Sequence, residues 1–175
     1  MQKINITSVV SSHLDTLRSK GELVKVDIVV FYVFPVLVGA AVWFLKWEVP
    51  EKALELSISV FSIFAALLLS VQVAMYSVSL REMTPPEDQK KLRSFNELKE
   101  TRNSLIRELN SNISYLILLS VVTVTITLLL FFWPSPRMGG SGVAVALYIH
   151  FFLTLLMVVK RSSIVFSREY ENAGN

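Results

Sequence analysis

Four stretches without a single Asp, Glu, Lys or Arg, residues 28–45, 56–80, 113–133 and 142–159, limit what this chain can fold into. Crossing roughly 30 Å of hydrocarbon takes about 20 apolar residues in a helix. With no water to satisfy loose backbone groups, each crossing has to be helical. Composition agrees: the chain is 53% hydrophobic and 18% charged, whereas soluble domains carry about 25% charged residues. The expected fold class is all-α, a polytopic membrane protein with four transmembrane helices. The first and last spans are near the short limit, and the second is long enough to tilt.

Lys and Arg are distributed unevenly around these spans. The amino-terminal stretch, the polar segment 81–112 and the tail carry fourteen of the 17, while the two remaining loops hold only Lys46, Lys52 and Arg137. The positive-inside rule then places both termini and the polar segment in the cytoplasm. Trp43, Trp47 and Trp133 fall at the outer ends of their spans, where an aromatic belt is expected. The chain divides into a cytosolic amphipathic helix within 1–27, a hairpin over 28–80, a cytosolic helical arm over 81–112, a second hairpin over 113–160 and a tail over 161–175. A net charge of +3 is too small to argue for nucleic acid, so no direct nucleic-acid binding is expected.

Several chemistries lack the residues they need. Zero Cys removes disulfides, thiolate metal sites and thiol catalysis. Two His, without an H-E-x-x-H pattern, leave little for a metal. Walker loops, nucleophile elbows and paired intramembrane carboxylates are missing too, and Glu55 at the outer edge of the second span is the one candidate membrane acid. The chain is expected to have no enzymatic activity, cofactor or metal.

Residues 5–24 read as an amphipathic helix with Val9, Val10, Leu14 and Leu17 on one side. It would lie along the inner membrane surface or pack on the cytosolic ends of the bundle, with His13 as a surface residue. Pro35 should kink the first span, and Gly39, Ala40 and Ala41 allow a neighbour to come close. The short loop 46–52 implies that the first two spans form an antiparallel hairpin. In the second span Glu55, Ser59, Ser62, Ala66, Ser70, Ala74 and Ser77 recur every three or four residues and draw one small or polar stripe. That stripe is either a tight helix interface or the lining of a water-filled path in an oligomer. Gln72 lies off the stripe near the bilayer middle and needs a polar partner there.

Pro85 and Pro86 end the second span. From about residue 87 to 112 a helix is expected, with Leu92, Phe95, Leu98, Leu105, Leu109 and Ile113 along one side and charges on the other. With no Gly or Pro to stop it, this helix runs directly into the third span. Its greasy side would pack on the amino-terminal helix or a second subunit, or meet a partner. Its candidate partner-binding residues are Lys90, Lys91, Arg93, Phe95, Glu97, Lys99 and Arg102, with Arg93 and Glu97 spaced to pair. Ser120, Thr123 and Thr127 line one side of the third span. Gly142, Ala146, His150 and Thr154 recur every four residues in the last, a small-residue interface containing a histidine. His150 is read as a neutral imidazole bonded to a Thr of the third span, or else as a proton relay or gate. The segment 134–142 reads as a short flexible external loop.

Four short helices, both termini inside and one cytosolic helical arm continuous with the third span give a layout similar to the membrane subunit of the bacterial Kiwa anti-phage defence system. That resemblance implies a small protein assembling in the bacterial inner membrane and recruiting a soluble DNA-associated partner when phage attacks. It carries no diagnostic motif and no functional residue. Three functions fit the sequence. The first is a homo-oligomeric scaffold and sensor that holds a soluble cytosolic protein through its arm. The second is a pore-forming effector or holin-like channel that depolarises the membrane. The third is an accessory subunit of a larger complex. In the first two, Ser59, Ser62, Ser70, Ser77, Gln72, Gly142, Ala146 and His150 form the oligomer or pore face, against membrane lipid or a second copy.

Overall fold

In the computed structural model, residues 6–19, 22–23, 25–80, 85, 89–132 and 137–173 are described. Helix α1 covers Ile6–Asp15. A two-residue ladder follows, β1 (Arg18–Ser19) antiparallel to β2 (Glu22–Leu23). Helix α2 (Lys25–Ile28), a π-helical segment (Val29–Val33) and α3 (Phe34–Phe44) form one continuous span. Then come α4 (Glu51–Ser79), α5 (Gln89–Phe132) and α6 (Arg137–Ala173). Four helices are long and apolar enough to cross a membrane: Lys25–Phe44, Glu51–Ser79, Leu92–Phe132 and Gly140–Ile164.

The arm and the third span are a single helix. α5 contains 44 residues and is about 66 Å long at 1.5 Å per residue. No Gly or Pro interrupts it, so nothing in its sequence offers a hinge between its charged and apolar halves. The Pro86 position, the side chains of Lys90 and Lys91, and Trp133 lie outside the described residues.

The connection between α3 and α4 is tight, yet the two helices have different packing partners: α3 lies on α6 and α4 on α5. Lys46 ends α3 in the left-handed region with φ of 54°. Its N–H bonds the Trp43 carbonyl and the Trp47 N–H bonds that of Val42, each at 3.1 Å, which is a Schellman closure with Lys where Gly is usual. The Ser141 hydroxyl accepts from the Val49 N–H at 3.0 Å and holds the loop against α6.

The packing face of α4 is a heptad series. Leu54, Phe61, Leu68 and Met75, seven residues apart, are its buried side chains. Phe61 and Phe64 reach across to Phe151 of α6, with ring centroids 4.9 and 5.2 Å away. The larger core joins these to Ile106, Leu109, Ile113 and Leu116 of α5. Helices in lipid gain little from hydrophobicity against each other, so close van der Waals packing of this kind has to hold them.

Two sequence expectations need correction. The amphipathic helix stops at Asp15 rather than near residue 24: the Thr16 hydroxyl lies 2.7 Å from the His13 carbonyl, a local bond that competes with continued helix, and the chain turns into the ladder. The segment 134–142 is helical from Arg137 onward. Its glycines serve packing, since Gly142 meets Gly39 of α3 backbone to backbone: a Cβ on Gly39 would lie 2.5 Å from the Gly142 carbonyl oxygen. Of the two placements open to the amino-terminal helix, packing on the bundle is the one found: α1 is docked on α5, with Val9 and Val10 against the core and Leu17 buried.

Candidate functional site: a buried histidine and tyrosine network

Pro35 gives the site its starting point. Proline has no N–H to offer the carbonyl four residues earlier, which belongs to Phe31. The helix relaxes into the π segment just before it, where the Phe34 N–H bonds the Val29 carbonyl. The freed Phe31 carbonyl lies 2.6 Å from Nδ1 of His150 on α6. A carbonyl only accepts, so His150 carries its proton on Nδ1 and presents Nε2 as an acceptor. The Tyr115 hydroxyl of α5 donates to that Nε2 at 2.7 Å. Three spans are thereby tied through one imidazole. The expected bond from His150 to a Thr of the third span is not made; Thr154, one turn along α6, instead donates to the His150 carbonyl at 2.8 Å.

A second histidine extends the network to the end of the bundle where α1 docks. His13 is only 1% exposed, which overturns its reading as a surface residue. Its ring stacks on Tyr115 with centroids 3.9 Å apart, and its Nδ1 donates to Asn112 Oδ1 at 2.7 Å. The Thr16 hydroxyl reaches the same oxygen at 2.8 Å. Arg161 of α6 closes the end of α1 by donating to the Thr16 carbonyl at 2.9 Å, while pairing with Glu108 at 3.2 Å. Burial lowers the His13 imidazole from its ordinary 6.5 to about 4; the Asn112 bond opposes this, and His150 and Arg161 add to it. His13 is therefore neutral near pH 7. Among the described residues its Nε2 and the Asn112 amide nitrogen are buried without a hydrogen-bond partner.

The network borders a groove of about 620 Å³ between α3, α5 and α6. Tyr32, Tyr115 and His150 sit at one end and Trp43 with Gly142 at the other. Gln72 lies apart from it and donates to Ser114 at 2.9 Å and Asn110 at 3.2 Å on α5. The polar partner that its amide requires is thus supplied by α5.

The other residues singled out by sequence scatter. Ser59, Ser62, Ser70 and Ser77 are all exposed, on the part of α4 turned away from α5, and each hydroxyl bonds the carbonyl four residues back. Gly142 and Ala146 face Gly39 inside the same chain, and His150 belongs to the network above. On the arm, Arg93 and Glu97 pair at 3.3 Å on an exposed surface. Lys99 is exposed and Phe95 half-buried. Arg102 turns inward and donates to the Val78 carbonyl at 2.9 Å, capping the end of α4. Sequence reasoning passed over Tyr115, Asn112, Tyr32 and Arg161. A signal for one link did exist, since Pro35 announces an orphaned carbonyl at Phe31 that some buried donor has to meet.

No family model, curated protein or solved structure matches the chain. What the fold defines is a multi-pass helical bundle with four helices able to cross a membrane. Among its described residues no group of three or more His, Asp or Glu could hold a metal ion.

Proposed function

We propose that this protein is a homo-oligomeric scaffold and sensor of a bacterial inner membrane, with both termini cytoplasmic, whose α5 arm recruits a soluble cytosolic protein. The observation that carries this reading is the continuity of α5 from Gln89 to Phe132. A rigid helix with an exposed, charged outer half passes any tilt or rotation of its membrane half to the surface it presents. The buried network supports the sensor role, because Tyr115 connects the arm helix to α6 and α1 through His150 and His13. The Lys and Arg asymmetry supports a cytosolic arm, and the layout shared with the Kiwa membrane subunit supports a place in anti-phage defence.

The test is affinity purification in mild detergent, with the intact mass of the particle measured, for the natural chain and for Arg93→Glu combined with Lys99→Glu. The natural chain should carry a soluble protein in fixed ratio on a discrete oligomer, and the variant should keep the oligomer while losing the passenger. A bare natural oligomer would overturn the recruiting role.

One observation favours a second reading. The exposed Ser59, Ser62, Ser70 and Ser77 face suits the lining of a pore made by several copies. In that case expression depolarises cells, and Ser62→Leu or Ser70→Leu suppresses the depolarisation.

A further inference from the structure

We propose that a recess between the last turns of α4 and the facing stretch of α5 binds the phosphodiester head of an anionic phospholipid. This inference needs a chain seated in a bilayer and does not depend on what the arm recruits. Charge locates the headgroup plane. Arg107 and Glu108 are the charges of α5 nearest its apolar half, and Lys160 and Arg161 are those of α6. Glu108 pairs with Arg161 at 3.2 Å, so the two helices leave the apolar layer at one level. At that level Met75, Tyr76 and Ser79 of α4 face Asn103, Arg107 and Asn110 of α5 across a recess of about 350 Å³. That volume lies within the roughly 300–1,000 Å³ range of small-molecule sites. Buried Ile106 completes the wall.

The recess is rich in donors and poor in negative charge. The Arg107 guanidinium presents a fork of N–H groups that matches phosphate oxygens. It is exposed and makes no ion pair among the described residues. Asn103 stands one turn away on the same side of α5. Asn110 accepts from the Gln72 amide at 3.2 Å through its Oδ1, which leaves its own amide N–H pair for an acceptor. Among the described residues no Asp or Glu lines the recess. A phosphate therefore meets no like charge there, and the ammonium of a zwitterionic head finds no counter-charge. The apolar surroundings favour a lipid over a phosphate from water. Leu69, Val73 and Tyr76 follow one another down α4 from the recess at spacings of four and three, each more than half exposed, and offer a track for an acyl chain. Basic pockets between membrane helices are suited to such head groups.

Native mass spectrometry of the full chain in dodecyl maltoside reads the binding. The chain is titrated with dioleoyl phosphatidylglycerol, with dioleoyl phosphatidylcholine, and with phosphatidylglycerol against excess glycerol phosphate. A saturating phosphatidylglycerol adduct is expected, about tenfold tighter than that of phosphatidylcholine and undisturbed by glycerol phosphate. Arg107→Gln should weaken it about fivefold. Asn103→Asp, which sets a carboxylate beside Arg107, should weaken it as well. Both positions are exposed, so the oligomer mass and melting temperature should stay those of the natural chain. Lys160→Gln removes one exposed charge at the same depth on α6 and should leave the affinity within about twofold. Equal affinity for the two lipids, or equal weakening by Arg107→Gln and Lys160→Gln, would overturn the site. Displacement by glycerol phosphate would overturn the lipid as its occupant.

Discussion

The rings of His13 and Tyr115 lie parallel, 3.9 Å between centroids and within 1° of a common orientation. This stack joins a short peripheral helix to the longest helix of the bundle, and its upper partner is held neutral. When α1 undocks, His13 can return toward its ordinary 6.5 from about 4, so the undocked state takes up the proton first as pH falls. Docking keeps its full strength above about pH 6.5 and weakens progressively toward pH 4. At pH 5 opening of α1 should be favoured about 30-fold over pH 7.5, read as faster amide exchange of residues 6–15. His13→Phe keeps the stack and removes the titration, so its exchange should lose this pH dependence. The groups facing the ring, Asn112, Tyr115, His150 and Arg161, are unchanged in that variant; an identical pH profile would locate the effect elsewhere.

Pro35 and His150 should be energetically coupled through the Phe31 carbonyl. His150→Leu leaves that carbonyl and the Tyr115 hydroxyl without their partner, a loss of about 2–3 kcal/mol in thermal or denaturant unfolding. Pro35→Ala restores an N–H able to reach Phe31. In that background the His150→Leu cost should shrink by about 1 kcal/mol, and strict additivity in the double-mutant cycle would refute the link.

Gly39 and Gly142 hold α3 against α6 at backbone contact. Gly39→Ala or Gly142→Ala forces the helices apart, because either Cβ would sit 2.5 Å from the facing carbonyl oxygen. A loss of about 1–3 kcal/mol is expected. Ala40→Gly, one residue along the same helix, serves as the control for composition, and it should change stability by no more than about 1 kcal/mol.

Two arginines on the arm should separate by mechanism. Arg102→Ala frees the Val78 carbonyl at the end of α4 and should lower stability by about 1 kcal/mol. Arg93→Ala breaks only an exposed pair with Glu97, worth at most about 0.5 kcal/mol. Its melting curve should be nearly unchanged, so any loss of partner capture by that variant reports the surface itself. Equal melting shifts for the two variants would contradict the inward role of Arg102.

The helices were legible in the sequence and their neighbours were not. Composition alone marks four apolar stretches, and the lack of Gly or Pro from Gln89 to Phe132 foretells one continuous helix. On α4, however, the eye goes to the small stripe of Ser59, Ser62, Ser70 and Ser77, whereas the chain packs through the large residues of the heptad Leu54, Phe61, Leu68 and Met75. The short loop suggests that α3 lies beside α4, and in the fold α3 lies beside α6. That choice decides who meets His150. The network joins Phe31 to His150 and His13 to Asn112 across about a hundred residues, so no local pattern could reveal it.

The most direct test of the account is the side of the membrane on which the arm stands. The chain has no cysteine, so single-cysteine variants label cleanly. Glu48→Cys in the exposed α3–α4 connection and Ser94→Cys on the exposed arm are the two sites to compare in intact cells with an impermeant thiol reagent. Labelling of Glu48→Cys from outside, with Ser94→Cys reacting only after permeabilisation, is the expected result. Ser94→Cys labelled in intact cells, with Glu48→Cys protected, would contradict a cytosolic arm and the recruiting function built on it.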